Sequence, residues 1–310
     1  MMDKYDEKFV PNSFGLVNTG SICYFNSMLQ LVISCSSFTR KILELGEEMN
    51  KTLTGTELLK FVKMYTDVNS VDIGICSTNI LNALKQDLIR KKSKIHFGIG
   101  QESASEALCL LIDVIDNKEI ESLFLQRNLC IIQCLECKSK HQEIDTTIIY
   151  NYFHHSADSK DDSFVKNIRV QKSLTEDYRC NDCLCICGGK INNGFCSNCN
   201  KKAKKRKSIR VYYLTRIPEI FICTFNIYFD NKSKYYPLEM TFPSNNDNKL
   251  RYKLVGRVNH VGSSLNSGHY YADCVRKNGI YRLNDSSVSI SRLNPNIEKT
   301  YILAYHYITN

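Results

Sequence analysis

The period of the apolar positions changes once along the chain. Downstream of Cys23, residues Phe25, Met28, Leu29 and Val32 recur at i, i+3, i+4 and i+7, the spacing of one helix face. Ala104, Ala107, Leu108, Leu111, Ile112 and Ile115 form a second helical stripe, and Ser103 followed by Glu106 reads as a capping box at its start. From about residue 128 the pattern becomes short runs rich in Ile, Val, Tyr and Phe between polar turns, which predicts strands over 129–133, 142–150, 208–215 and 220–229. Near the end, 270–276 and 280–283 flank Asn278-Gly279, a favoured hairpin turn. Residues 156–162 read as a polar loop, and no internal repeat is visible. Helices first and strands later predict an α+β fold, with a cysteine-rich middle inserted between two parts of one unit.

The 310 residues suffice for one large domain or two ordinary ones, and 43% hydrophobic residues with only 5 Pro exclude a disordered or linker-dominated chain. No apolar run approaches the ~18 residues of a membrane-spanning helix, and residues 1–19 are polar where an export signal is apolar. The expectation is an intracellular protein of cytoplasm, nucleus or both, with no membrane partner. The net charge of +9 invites a nucleic-acid reading, but seven of the positive charges lie in the acid-free run 201–210. The rest is nearly neutral, so a solvated charged strand or hairpin is the expectation and a nuclear-import run the alternative. Nucleic acid is not the expected partner.

Fifteen cysteines are many for such a chain, and an odd number cannot all pair internally. Metal binding and catalysis explain them better than a disulfide framework. Cys23 stands where a glycine-containing loop, from Gly15 through Gly20, enters the first predicted helix. Unpaired N–H groups and a partial positive charge at a helix N-terminus favour a thiolate there. A thiolate nucleophile also needs a base to take and return a proton, and a third group to orient that base. His269 and, fifteen residues later, Asn284-Asp285 offer both. A strict two-residue turn at Asn278-Gly279 sets Asn284 opposite Asp273, so the chain must bulge or turn after Leu283 for Asn284 to reach His269.

Cys134-x2-Cys137 and Cys180-x2-Cys183 are two metal knuckles separated by 42 residues, each able to supply two thiolates to a tetrahedral zinc. Cys185, Cys187, Cys196 and Cys199 follow at once, with glycine and asparagine turns between them. They are candidates for a second zinc or for alternative ligands to the first.

The chain resembles the ubiquitin-specific proteases at four places in the right order. Residues 15–30 resemble their cysteine box, and 254–288 their histidine box, including His260, Gly262, Gly268, His269 and Tyr270. Residues 101–108, from Gln101 through Glu106, resemble their glutamine-rich helix start, and 176–183 their second zinc half-site. The resemblance implies a papain-like hand fold with a helical thumb over about 12–127, zinc-bearing β fingers over about 128–230 and a β palm over about 231–308. These make a single catalytic domain of 12–308 with a cysteine-rich insertion at 184–200. It further implies a deubiquitinating enzyme with ubiquitin or its conjugates as partner, structural zinc on Cys134, Cys137, Cys180 and Cys183, and no organic cofactor. Cys23 would be the nucleophile, His269 the base and then acid, Asn284 the group orienting it, and Asn18 the oxyanion-stabilising amide. Asp285 is the alternative third residue, and Gln101, Glu106, Gly268 and Tyr270 are the substrate-binding positions.

The departures from the family pattern are local. Ser21-Ile22 stand where Asn-Thr is usual, uncharged Ser103 where an acid is usual, and Asn226-Ile227 where a basic pair follows Pro218. Trp is absent, with Ile280-Tyr281 in its usual region. The first two departures support a rival reading as a catalytically silent ubiquitin-binding module. The cysteines beside the basic run support a zinc-ribbon nucleic-acid binder, a reading that leaves the motifs at both ends unexplained. The sequence does not indicate an oligomeric state.

Overall fold

The computed structural model describes residues 6–67, 69, 75–93, 102–152, 161–225, 234–243, 249–264, 267–294, 296–297 and 299–308. Helices come first: α1 (Cys23–Ile33), α2 (Ser36–Leu45), α3 (Leu53–Thr66), α4 (Thr78–Arg90), α5 (Ala104–Ile115) and α6 (Lys118–Phe124). Strands follow: β1 (Gln126–Cys134), β2 (Lys140–Thr147), β3 (Tyr150–Tyr152) and, after helix α7 (Asp161–Arg169), β4 (Val170–Tyr178), β5 (Ile191–Asn192), β6 (Phe195–Cys196), β7 (Arg206–Arg216) and β8 (Ile220–Phe225). The last stretch holds β9 (Lys234–Tyr235), β10 (Glu239–Pro243), β11 (Lys249–Ser264), β12 (Ser267–Arg276), β13 (Gly279–Asn284), β14 (Ser287–Ile290), β15 (Asn296–Ile297) and β16 (Thr300–Ile308). The class is α+β, as the change of period predicts.

Chain contacts divide these elements into two compact units. The larger comprises Met1–Leu125, Ile148–Val165 and Pro218–Asn310. Its main sheet runs β14-β13-β12-β11-β16-β8-β3, with β10 also paired to β11. Only β3 against β8 is parallel among these pairings. Every residue of β8 is buried, which explains its unbroken apolar sequence. Helix α1 is buried over its whole length, packed on α5 and on strands β11 to β13. The apolar stripe read from the sequence covers only part of that burial. The polar side of α1 is buried too, because its groups are hydrogen-bonded inside. Gln30 donates to the Phe14 carbonyl at 2.8 Å, and Ser34 and the Gln30 carbonyl accept from Arg276.

The smaller unit, Gln126–Thr147 and Lys166–Ile217, is a four-stranded sheet in the order β2-β1-β7-β4 plus the short β5-β6 hairpin. Strand β1 alternates buried with more exposed positions, the signature of a sheet with one covered face.

Three local expectations need correction. The single strand expected over 142–150 is two, β2 and β3, broken at Ile148 and Ile149 where the chain passes from the smaller unit to the larger. Ser103 sits at the N-cap position of α5 in extended conformation, but its side chain makes no capping bond. Its hydroxyl is held instead by Tyr301 at 2.8 Å and Ser105 at 2.9 Å. The hairpin turn is Lys277-Asn278, one residue earlier than expected. Arg276 already pairs with Gly279, whose φ of 141° suits glycine. The expected strand residues 226–229, the pair Asn226-Ile227, Gln101 and the loop positions 156–160 lie outside the described residues. Among the described residues no helix is long and apolar enough to cross a membrane.

Candidate active site

The candidate nucleophile loop is clamped on both sides within the larger unit. Val17 N–H donates to the Ile75 carbonyl and Leu16 N–H to the Asp285 carbonyl, both at 2.8 Å. Gly15 lies so close to the turn after β13 that an added Cβ would stand 2.6 Å from the Ser286 carbonyl oxygen. Only glycine permits that approach. Ser21 has φ of 50°, the left-handed region a non-glycine residue enters at a cost, and α1 begins two residues later.

Cys23 is thus the first residue of α1 and is 4% exposed. Burial pushes its thiol up. The Tyr270 backbone N–H beside it acts in the opposite direction, and the Asp285 charge adds to the rise. The net direction departs from the expectation of a helix N-terminus favouring thiolate. Desolvation of the sulfur outweighs the helix end, so the free thiol retains its proton and its activation requires a neighbouring base.

Tyr270 follows His269 on β12, so the candidate base is the strand residue next to the one whose backbone meets the nucleophile. Strand β13 runs without a bulge from Gly279 to Asn284, and its pairing of Leu283 with Ala272 leaves Asn284 level with Tyr271, not Asp273. His269 lies two positions from Tyr271 on the same strand face, so the two side chains meet diagonally. Their separation is 2.5 Å, from His269 Nε2 to Asn284 Oδ1. The turn that the sequence requires comes after Asn284: Asn284 pairs with Ser287, and Asp285 takes φ of 50°. His269 is half-buried and Asn284 exposed.

Asp285 points elsewhere. Its carboxylate accepts from Asn18 Nδ2 at 2.9 Å and from Asn26 Nδ2 at 2.8 Å. Asn18 Oδ1 in turn accepts from the Gly20 N–H at 3.0 Å. The Asn18 amide is therefore fixed from both ends while the residue itself is exposed. Asn26 Oδ1 accepts from Ser77, which extends the network inward. Sequence reading missed Asn26 and Ser77. The sequence offers for Asn26 only a polar amide three residues after Cys23, and its meaning comes from the burial of α1 on every side.

The remaining expected positions fall around this centre. Gly268 has φ of 150°, and an added Cβ would meet the Val261 carbonyl oxygen at 2.4 Å and His260 Cε1 at 2.7 Å. Tyr270 is buried with its ring centroid 4.2 Å from that of His260. Burial pushes His260 down, and the proximity of His269 acts in the same direction. Glu106 is exposed on the first turn of α5.

The smaller unit holds the cysteine clusters. The sulfurs of Cys134, Cys137, Cys180 and Cys183 all lie within 4.8 Å of one another, as do those of Cys185, Cys187, Cys196 and Cys199. In the first set, Cys134 to Cys183 is 3.7 Å and Cys137 to Cys180 is 3.5 Å. A zinc bound at about 2.3 Å by four tetrahedral thiolates sets its sulfurs roughly 3.8 Å apart, so this donor set fits a closed tetrathiolate site. The Ser139 hydroxyl leads the effects that draw the Cys137 thiol down to about 6, an aid to thiolate formation. His141, also missed in the sequence, lies 2.9 Å from Asp182 between the two half-sites.

The chain matches the family model described as ubiquitin carboxyl-terminal hydrolase over residues 14–305. It is 23% identical over 339 aligned residues to the probable ubiquitin carboxyl-terminal hydrolase 16 of Schizosaccharomyces pombe, an alignment covering 96% of this chain and 68% of the relative. It is 27% identical over 334 residues to ubiquitin carboxyl-terminal hydrolase 25 of Arabidopsis thaliana, with 94% and 47% covered, so it spans about half the length of that relative. Among solved structures, a SAGA DUB module containing Ubp8, Sgf11, Sus1 and Sgf73 and bound to ubiquitin aldehyde matches with a TM-score of 0.65 at 20% identity, over 97% of this chain and 71% of that one. The monoubiquitin-bound module matches with a TM-score of 0.65 at 19% identity, over 99% and 71%. At these identities the structural matches establish a shared fold.

Proposed function

The chain belongs to the ubiquitin carboxyl-terminal hydrolase family, and from that premise we propose that it is a cysteine-type deubiquitinase that hydrolyses the peptide or isopeptide bond at the C-terminal glycine of ubiquitin. The observation that carries this reading is the 2.5 Å pairing of His269 with Asn284 on the strand whose next residue, Tyr270, has its backbone beside Cys23.

An amide oxygen only accepts, so His269 Nε2 carries the proton and Nδ1 keeps the basic lone pair. Nδ1 takes the Cys23 proton as Sγ bonds to the scissile carbonyl carbon. The resulting imidazolium returns that proton to the leaving amine as the C–N bond breaks. Water then attacks the thioester, with His269 again as base, releasing the ubiquitin carboxylate and restoring the thiol. The Asn18 amide and the backbone N–H groups opening α1 stabilise the oxyanion, and one such donor is typically worth ~3 kcal/mol of barrier. Zinc on Cys134, Cys137, Cys180 and Cys183 supplies no chemistry to this reaction. A closed four-thiolate shell is structural, and it would tie the end of β1 to the chain leaving β4.

The test is covalent labelling with ubiquitin bearing a C-terminal electrophile, together with hydrolysis of a ubiquitin C-terminal amide. Wild-type protein should be labelled once, at Cys23, while Cys23→Ala is unlabelled and His269→Ala retains less than a tenth of the hydrolysis rate. A wild-type chain that binds ubiquitin and takes no label would make it a silent binding module.

A further inference from the structure

Residues 184–204 carry a cluster that the family reading leaves without a role. We propose that Cys185, Cys187, Cys196 and Cys199 bind a second zinc ion, separate from the first, and that this ion holds the 184–204 segment in its fold. The inference is independent of the catalytic reading.

The sulfur geometry is that of a metal shell. Cys185 to Cys199 is 3.8 Å and Cys187 to Cys196 is 3.4 Å, and all four sulfurs lie within 4.8 Å of one another. A disulfide needs about 2.05 Å, whereas the edge of a zinc tetrathiolate is roughly 3.8 Å. All four cysteines are free thiols.

The backbone gives an independent argument, because the second cluster repeats the turn of the first. At Cys134-x2-Cys137, the Lys138 N–H donates to the Cys134 carbonyl at 3.0 Å, the Cys134 N–H donates to the Ser139 carbonyl at 3.0 Å, and Lys138 has φ of 64°. At Cys196-x2-Cys199, the Asn200 N–H donates to the Cys196 carbonyl at 2.9 Å, the Cys196 N–H donates to the Lys201 carbonyl at 2.9 Å, and Asn200 has φ of 51°. The same knuckle is built twice from unrelated sequence. The second knuckle also directs the Asn198 N–H at the Cys196 sulfur, 3.4 Å away, an arrangement that stabilises a ligating thiolate.

The surrounding segment is shaped to bring the four sulfurs together. Asn193 and Gly194 both have positive φ, as a type I′ turn requires, and they close the β5-β6 hairpin that delivers Cys196. Gly188, with φ of 77°, turns the chain after Cys187. An added Cβ on Gly189 would stand 2.5 Å from the Cys196 sulfur, so a side chain there would displace a ligand. The apolar core of this segment is only Ile191, Cys196 and Ala203, with Cys185 and Cys199 against them. That is too little apolar surface to order some twenty residues, and a structural metal is the usual remedy.

The experiment is metal analysis of the full chain, purified under reducing conditions and passed over a chelating resin, with limited trypsin digestion alongside. Wild type should carry two zinc ions per chain, and the Cys187→Ser/Cys196→Ser double variant one. In the variant, trypsin should cut within the 201–207 lysine and arginine run at least tenfold faster than in wild type. Replacement of zinc by cobalt in wild type should give thiolate-to-cobalt absorption for eight thiolates per chain. This measurement decides the proposal even where the variant fails to fold. One zinc per wild-type chain, four cobalt-bound thiolates, a double variant that keeps two zinc ions, or a folded double variant that loses both would each overturn it.

Discussion

His269 and Asn284 meet diagonally across β12 and β13, Nε2 to Oδ1 at 2.5 Å, although no direct cross-strand pair joins them. The contact exists because the hairpin closes at Lys277-Asn278, which leaves Asn284 two positions out of step with His269 on a shared face. Asn284→Ala should free the imidazole to rotate and to exchange tautomers. We expect kcat to fall roughly ten- to a thousandfold, the range for positioned acid–base groups. Asn284→Asp should retain activity, since a carboxylate accepts the same Nε2 proton. It should also raise the pKa of the acidic limb in the kcat/KM profile, because a negative charge stabilises imidazolium. Equal activity of Asn284→Ala and wild type would remove Asn284 from the mechanism.

In the proposed mechanism Asp285 acts through Asn18. Both oxygens of its carboxylate are engaged, one by the Asn18 amide and the other by the Asn26 amide. Under the proposed mechanism this makes it a positioning residue for the oxyanion donor. Asp285→Ala should reduce kcat by about tenfold or more with little change in KM, and the histidine limb of the pH profile should stay in place. Asn18→Ala should cost a similar factor, and the double variant little more than either single one, since both remove one function. Fully multiplicative losses would show that the two residues work separately.

Much of this centre is readable from residue types and order. Cys23 before an apolar helix, His269 in a strand and the Asn284-Asp285 pair are the candidates that residue types offer, and the family resemblance gives them their proposed roles. The two paired cysteine knuckles identify the first metal set. The division of labour within Asn284-Asp285 is not readable, because it depends on a one-residue choice of turn that local sequence leaves nearly balanced. The Asn26 network is equally hidden: an amide in a helix signals function only once the helix is known to be buried on every side. The Ser103 hydroxyl bonds Tyr301, almost two hundred residues downstream, where local pattern predicts a cap. The raised Cys23 thiol depends on the amount of protein packed around it, which no motif records.

Ser21 occupies a left-handed conformation two residues before the candidate nucleophile. Asparagine enters that region more readily than serine, and glycine without steric penalty. Ser21→Asn and Ser21→Gly should each raise stability by about 0.5 to 1 kcal/mol, read as a higher midpoint in urea. The asparagine variant should keep or raise kcat, because the loop conformation is retained. A lower midpoint in both variants would mean that the serine side chain supports the loop in a way that outweighs backbone strain.

His306 gives the larger unit a predicted weakness to acid that is unrelated to the candidate active site. The ring is fully buried on β16. Its Nδ1 faces the Tyr307 carbonyl at 2.8 Å and so carries the proton, while Nε2 accepts from the Ser37 hydroxyl and, at 3.3 Å, from the Ser37 N–H. Burial pushes its pKa down to about 4. The Tyr307 carbonyl opposes the fall and the Arg40 charge adds to it. The unfolded chain titrates near the ordinary 6.5, so between about 6.5 and 4 the unfolded state binds the extra proton. Stability from this group is therefore complete above that window and is lost as pH falls through it. The expected loss between pH 7.5 and pH 5 is about 2 kcal/mol, from 1.36 kcal/mol per pKa unit. Urea midpoints at the two pH values measure it. His306→Asn should be less stable at pH 7.5 and should lose most of the difference between the two pH values. If the variant keeps the full wild-type difference, the acid sensitivity belongs to another group and His306 does not titrate in this window.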